Sequence, residues 1–187
     1  MERYNWTDFE IPTRYSNATF KDVEGNVSDS KIDDIKKWVA GDCKGNSLYL
    51  YSENPGTGKT ILGVLALKGK IESGNCSGKA LFVDAHKLSY YIKYEYEEAS
   101  ALITKMLQSS VLLIDDIDII PITDTKVIEK LSLVISDFYN YSEKSLIITS
   151  NSDISKTDKF LGKRNFSRLF EMCYFLDLSS ADDYRQR

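Results

Sequence analysis

The sequence is poor in the residues that build metal centres and disulfide scaffolds. It has one histidine, His86, three prolines and three scattered cysteines, Cys43, Cys76 and Cys173. The usual sulfur and imidazole ligands of a structural zinc site cannot be assembled from that set. So sparse and odd a cysteine count suits a reducing cytoplasm. No apolar run approaches the roughly 20 residues that cross a bilayer. The segment Met1 to Phe9 lacks the basic-then-apolar order of a signal peptide. These absences predict a cytoplasmic protein with no membrane partner. An excess of positive charge is missing too, with 24 basic against 28 acidic residues and a net charge of −4. Counterion release needs clustered cations, so the balance argues against a whole-surface nucleic-acid binder and leaves room only for a local basic groove.

What is present is an alternation. The 187 residues suffice for one well-buried α/β domain, and 42% of them are hydrophobic. There is no internal repeat and no low-complexity tract. Residues 1–45 read as a polar N-terminal segment with one helix, Ser30 to Ala40, expected to pack on the nucleotide side of the domain formed by residues 46–187. Ser28, Asp29 and Ser30 mark that helix start. Beyond Gly45, apolar runs (Ser47–Tyr51, Lys79–Asp84, Val111–Asp115, Leu146–Thr149, Tyr174–Leu178) alternate with helical stretches (Thr60–Ser73, Leu88–Ser109, Thr123–Tyr141 and about Asp158–Phe170). Continuous apolar runs between helix-length segments predict a five-stranded parallel sheet covered on both faces. Right-handed crossovers then give a three-layer αβα sandwich. Ligands of such sheets sit beyond the carboxyl ends of the strands.

The strongest motif lies at one of those ends. Glu53-Asn54-Pro55-Gly56-Thr57-Gly58-Lys59-Thr60 follows a strand and opens a helix, the setting in which a phosphate-binding P-loop is expected. Its glycines let successive N–H groups face inward around phosphates, and the helix adds its positive dipole end. Lys59 would reach the β- and γ-phosphates, and the Thr60 hydroxyl would ligate magnesium. With Ile61 next on the helix, Asn54 to Ile61 is the expected ATP-binding set. Glu53 stands where the pattern has its first glycine, at the turn out of the strand.

Two further strand ends carry chemistry. Val111 to Ile114 leads into Asp115 and Asp116. Asp115 is expected to hold magnesium, a hard cation that prefers oxygen, and Asp116 to orient or deprotonate the attacking water. Taken alone, such a pair also reads as a turn or helix cap; the P-loop upstream decides for the site. Leu146 to Ser150 leads into Asn151, suited to hydrogen-bond a γ-phosphate or the water. Downstream lie Lys163, Arg164 and Arg168. They read either as phosphate-stabilising arginines or as a solvated basic helix face.

In this order the motifs resemble those of the AAA+ family, specifically the helicase loaders of the DnaC and DnaI type and the related IstB transposition ATPases. The likeness runs from Ile11-Pro12-Thr13-Arg14-Tyr15 and Ala18-Thr19-Phe20, through the P-loop, Leu112 to Asp116 and Thr149-Ser150-Asn151, to Leu161 through Leu169 and Asp183-Tyr184-Arg185. The resemblance implies an ATPase of DNA replication that uses magnesium and assembles with ATP between subunits. It implies Arg168 as the likeliest finger acting on a neighbour's ATP, Arg164 as the second candidate, and Arg185 as a phosphate contact. It implies a replicative helicase or another replication protein as partner, and single-stranded DNA held by the region Lys87 to Tyr96. There Tyr90, Tyr91, Tyr94 and Tyr96 would stack bases and Lys87 and Lys93 would meet phosphates. The alternative is that these tyrosines pack an amphipathic helix on the sheet. Typical loaders carry a separate N-terminal domain, and larger AAA+ proteins a helical lid after the last strand; the expectation here is an AAA+ core without a full lid. Two rival functions share the motifs: an IstB-like transposition ATPase, and a nucleotide-dependent adaptor or inhibitor with little turnover.

Overall fold

The computed structural model describes residues 4–74, 79–153 and 156–181. Strands β1 (Ser47–Tyr51), β2 (Lys79–Asp84), β3 (Ser109–Asp115), β4 (Ser145–Ser150) and β5 (Cys173–Asp177) form one sheet in the order β2-β3-β4-β1-β5. Every pairing is parallel. The three-layer architecture expected from the apolar runs is therefore the architecture observed.

Parallel strands are buried on both faces, so their side chains divide by alternation. Leu48, Leu50, Leu113 and Ile147 point into a core shared with helix α1 (Asp29–Ala40) and helix α2 (Lys59–Glu72). Tyr49, Leu112, Ile114, Leu146 and Ile148 point into the opposite core. That second core is closed by α3 (Ala85–Tyr94), α4 (Tyr96–Gln108), α5 (Thr125–Asn140), the short α6 (Thr157–Leu161) and α7 (Lys163–Met172). No helix among the described residues is long and apolar enough to cross a membrane.

Two helices expected from the sequence are each broken in two. The stretch Leu88–Ser109 divides at Glu95, whose backbone leaves the helical region (φ −133°, ψ 77°), and its last residue, Ser109, begins β3. Asp84 caps α3 by accepting from the amides of His86 and Lys87, a start signal hidden at the end of an apolar run. The stretch Asp158–Phe170 divides at Gly162, which takes φ +80°, a conformation that L side chains resist.

The N-terminal segment is not a loose tail. Ile11, Tyr15, Val23 and Val27 are buried in the same core as α1 and α2. Short 3-10 turns at Trp6–Phe9, Thr13–Tyr15 and Phe20–Asp22 fold it compactly. Trp38 of α1 is buried and donates from Nε1 to the Ser47 carbonyl at 3.1 Å, fixing α1 to the start of β1.

Candidate active site

At the carboxyl end of β1 the chain turns through residues 52–58 and enters α2. Gly58 takes φ +87°, a conformation L side chains rarely adopt, so glycine serves the curl of the loop. The loop borders a cavity of about 310 Å³ lined by Tyr15, Pro55 through Ile61, Asp116 and Asn151. Lys59 is buried, and its ammonium donates to the Ser52 and Asn54 carbonyls and to the Thr57 hydroxyl at 3.0–3.3 Å.

A chain of hydrogen bonds joins the ends of α2, β3 and β4. Thr60 Oγ1 donates to Asp115 Oδ2 at 3.2 Å, and Thr149 Oγ1 donates to Asp115 Oδ1 at 2.7 Å. The Asp116 amide then donates to Thr149 Oγ1 at 2.8 Å, and Asn151 Nδ2 donates to Asp116 Oδ1 at 2.9 Å. The Asn151 amide donates to Asp118 Oδ1 at 2.7 Å. Asp116 is held at φ +54°, ψ +51°, left-handed for a residue that has a Cβ. Backbone held there by its surroundings is characteristic of functional sites.

The electrostatics of the pair follow from burial. Removal from water pushes the Asp115 carboxyl up to about 6, against the opposing pull of the Thr149 hydroxyl and with the Asp116 charge adding to the rise. Burial also raises Asp116, offset by the Asn151 amide. Among the described residues Asp115 has two hydroxyl donors and no ion-pair partner. A divalent cation would relieve that buried charge, so the residues present fit one. No cluster of three His, Cys, Asp or Glu that could hold a metal occurs among the described residues. A cation beside Asp115 and Thr60 would take its remaining ligands from phosphate and water, the habit of magnesium.

The sequence-predicted residues thus divide. Pro55 to Ile61, Asp116 and Asn151 line one cavity, with Asp115 bonded to Thr60 at its edge. Asn54 lies in the loop, its backbone carbonyl accepting from Lys59 and its side-chain Nδ2 donating to the Ser179 carbonyl. Arg164 and Arg168 do not line it. Arg164 is exposed on α7. Arg168 is half-buried, hydrogen-bonded to Ser136 of α5 and stacked over Tyr139 with 5.5 Å to the ring centre. Arg185 falls outside the described residues. Glu53, at the mouth of the loop, pairs with Lys156 just before α6.

Sequence reasoning gave no site role to Tyr15, Thr149 or Asp118. Thr149 carries a faint signal, a hydroxyl at the last turn of an apolar strand. Tyr15 carries only its place in the segment before the core, because nothing local predicts that the segment returns to the P-loop. Asp84 also lies beside the site, opposite Asp115 in register, and the two share a smaller cavity of about 190 Å³ with Glu10, Arg14 and Lys87.

On α3 and just after it, Tyr90, Tyr94 and Tyr96 are 49%, 71% and 85% exposed, so these three do not pack on the sheet; Ala85, Leu88 and Ser89 do. Tyr90 and Tyr94 neighbour each other at 5.3 Å. Both lysines are engaged: Lys87 lies 3.8 Å from Glu10 and Lys93 lies 2.5 Å from Asp124.

No curated protein sequence matches the chain. Among solved structures, the DnaC helicase loader is similar with a TM-score of 0.69 and 26% identity, over 89% of this chain and 99% of that one. DnaI superimposes with a TM-score of 0.71 at 19% identity, over 89% and 94% of the two chains. A replication initiator DnaA bound to AMPPCP and single-stranded DNA superimposes at 0.70 and 17% identity, over 89% of this chain and 50% of that one. Residues 49–174, from β1 to β5, match the model of one family throughout, and by that match the chain belongs to the ATPase family associated with various cellular activities (AAA).

Proposed function

We propose that the chain is an ATP-hydrolysing AAA+ factor of DNA replication, of helicase-loader type. The observation that carries the reading is the hydrogen-bonded line Thr60–Asp115–Thr149–Asp116–Asn151 beside the P-loop cavity. In it Thr60, Asp115, Asp116 and Asn151 are held together beside the phosphate loop, and positioning is most of what phosphoryl transfer to water requires.

In this reading the loop amides from Asn54 to Thr60 surround the phosphates, and Lys59 exchanges its carbonyl partners for phosphate oxygens. Thr60 and Asp115 would hold Mg2+, which would neutralise charge on the phosphates. Asp116 accepts a proton from the attacking water, and Asn151, bonded to Asp116, fixes that water against the γ-phosphate. Tyr15 and Ile61 flank the bound nucleotide. The site is completed in trans, ATP bridging two copies in a head-to-tail interface. Arg164, exposed on α7, is the freer candidate for the finger; Arg168 first has to leave Ser136 and Tyr139. Arg185 is proposed as a phosphate contact of the C-terminal end, and the N-terminal segment as the wall of the nucleotide side. The likeness to the DnaC loader supports a replicative helicase as partner and the cytoplasm as the place of work. Single-stranded DNA would be held by stacking on Tyr90, Tyr94 and Tyr96, with phosphates drawing Lys87 from its exposed 3.8 Å pairing with Glu10.

Steady-state ATP hydrolysis with and without single-stranded DNA tests the reading. Turnover that is stimulated by DNA and lost in Lys59→Ala supports it. ATP binding with negligible turnover under both conditions points instead to a nucleotide-dependent adaptor. Co-purification with a transposase rather than a replicative helicase would move the assignment to the IstB-like ATPases. Wild-type DNA affinity in Tyr90→Ala/Tyr94→Ala would remove the DNA contact.

A further inference from the structure

Helix α2 carries a lysine where its packing calls for an apolar residue. Lys68 lies between Leu67 and Gly69 in a stretch buried from Ile61 to Leu67, and is itself only 5% exposed. Burying an ammonium costs several kcal/mol unless its donors are met. Here they are met without a carboxylate. Nζ donates to the carbonyls of Tyr15 and Ser16 at 2.8 Å and of Ala18 at 3.3 Å. The three N–H groups of a lysine are thereby all used. The Trp6 ring lies 5.0 Å from the same nitrogen, adding cation–π attraction. Burial lowers the pKa of Lys68, with Glu72 and Asp22 acting only through space in the opposite direction.

The three carbonyls belong to the end of the 3-10 turn Thr13–Tyr15 and the residues just after it. Tyr15 lines the P-loop cavity. The P-loop helix thus grips, from about two and a half turns beyond Lys59, the backbone that presents a tyrosine to the cavity. An aliphatic residue would satisfy the packing of α2 and would leave those carbonyls without this donor.

We infer that Lys68 is a positioning residue for nucleotide affinity, pinning the segment 15–18 to α2 so that Tyr15 closes the cavity against the bound nucleotide. The inference rests on the cavity being the ATP site. It assigns Lys68 no contact with nucleotide and no part in the chemical step.

The test is the affinity for a fluorescent ATP analogue with magnesium, together with steady-state kinetics and thermal melting. The proteins are wild type, Lys68→Met, Lys68→Arg, Tyr15→Ala, the double variant Lys68→Met/Tyr15→Ala, and Lys59→Ala as control of the site. Lys68→Met should bind about tenfold more weakly, with KM rising in step and kcat within about twofold. Lys68→Arg, which keeps several donors, should stay within about threefold of wild type. The double variant should bind no worse than Tyr15→Ala, because one residue acts through the other. Additive losses, or unchanged affinity in a Lys68→Met protein that merely melts earlier, would overturn the inference. Should Lys68→Met not fold, Lys68→Gln takes its place; its shorter side chain keeps two donors, so a loss between those of the arginine and methionine variants is expected, and unchanged affinity overturns the inference. A wild-type protein that fails to bind the analogue, or a Lys59→Ala protein that binds it normally, would instead bring down the ATP-site reading itself.

Discussion

The cavity at the carboxyl ends of β1, β3 and β4 and the surface of α7 use polar residues in opposite ways. In the cavity, Asp115, Asp116, Thr149 and Asn151 satisfy one another before any ligand arrives. On α7, Arg168 is taken up by Ser136 and Tyr139 while Arg164 stands exposed. A network that is internally satisfied is a preorganised half of a site; an exposed arginine away from it is available to something else. The difference fits a site shared between two copies, each contributing a finished half and a free cation.

The sharpest way to break that comparison is to remove one half at a time. Lys59→Ala deletes the ammonium from the phosphate cradle and should abolish ATP binding, measured by calorimetry. A retained micromolar affinity would count heavily against the loop assignment. Arg164→Ala should bind ATP normally and lose roughly a thousandfold or more in hydrolysis, as a finger contributes. Mixing the two variants should restore part of the activity, since a mixed interface can join an intact cradle to an intact arginine. Recovery with Arg168→Ala and none with Arg164→Ala would give the finger back to Arg168.

Next in size is a stability effect confined to the cavity. Between about pH 4 and pH 6 the folded state binds a proton at Asp115 more tightly than the unfolded chain does, since burial raises this carboxyl from 3.8 to about 6. The stability of the nucleotide-free protein therefore falls as pH rises through that window, and the deficit is complete above it. Two pKa units correspond to roughly 2–3 kcal/mol. Asp115→Asn should recover much of this at neutral pH, raising the melting temperature by roughly 5–10 °C without metal or nucleotide while eliminating magnesium-dependent hydrolysis. A lowered melting temperature would mean that the two threonine hydroxyls need the charged carboxylate more than burial opposes it. No such gain is expected for substitution of Arg164, which is exposed on α7.

How far the sequence carries this picture depends on how local the cause is. The strands were legible because apolar runs bounded by polar residues have one economical arrangement, and the P-loop because its glycines are required by the backbone itself. The breaks at Glu95 and Gly162 were missed for different reasons. Gly162 was a visible punctuation mark inside a helical pattern, whereas nothing in Tyr94-Glu95-Tyr96 departs from good helix periodicity. The least legible part was the N-terminal wall. Tyr15 and Lys68 are distant in sequence and joined only by tertiary hydrogen bonds, so neither residue type nor spacing announced them. The one available signal was a pair of lysines, Lys68 and Lys70, after the apolar run Ile61–Leu67 of α2. The same limit applies to the arginines, whose ranking turned on whether Ser136 and Tyr139 lay within reach.

The smallest effect is expected at an exposed ion pair between the loop and the approach to α6. Glu53 replaces a loop glycine at the mouth of the cavity, and its carboxylate pairs with Lys156, which precedes α6 and so leads toward α7. Both side chains are 57% exposed, and an exposed pair of this kind adds little to stability. Glu53→Gly should therefore leave the melting temperature within about a degree and shift ATP affinity by no more than about threefold. Removing a negative charge near the phosphates favours tighter binding, and loss of the Lys156 contact gives nothing back. A cycle with Lys156→Ala separates these terms. If Glu53 acts only on the phosphates, Glu53→Gly has the same effect with and without Lys156. If the pair holds the β4–α6 connection against the loop, either single variant should lower hydrolysis without changing affinity, and the double variant should lower it no further. That second outcome would make the cradle and the arginine-bearing helix one mechanical unit rather than two neighbouring halves.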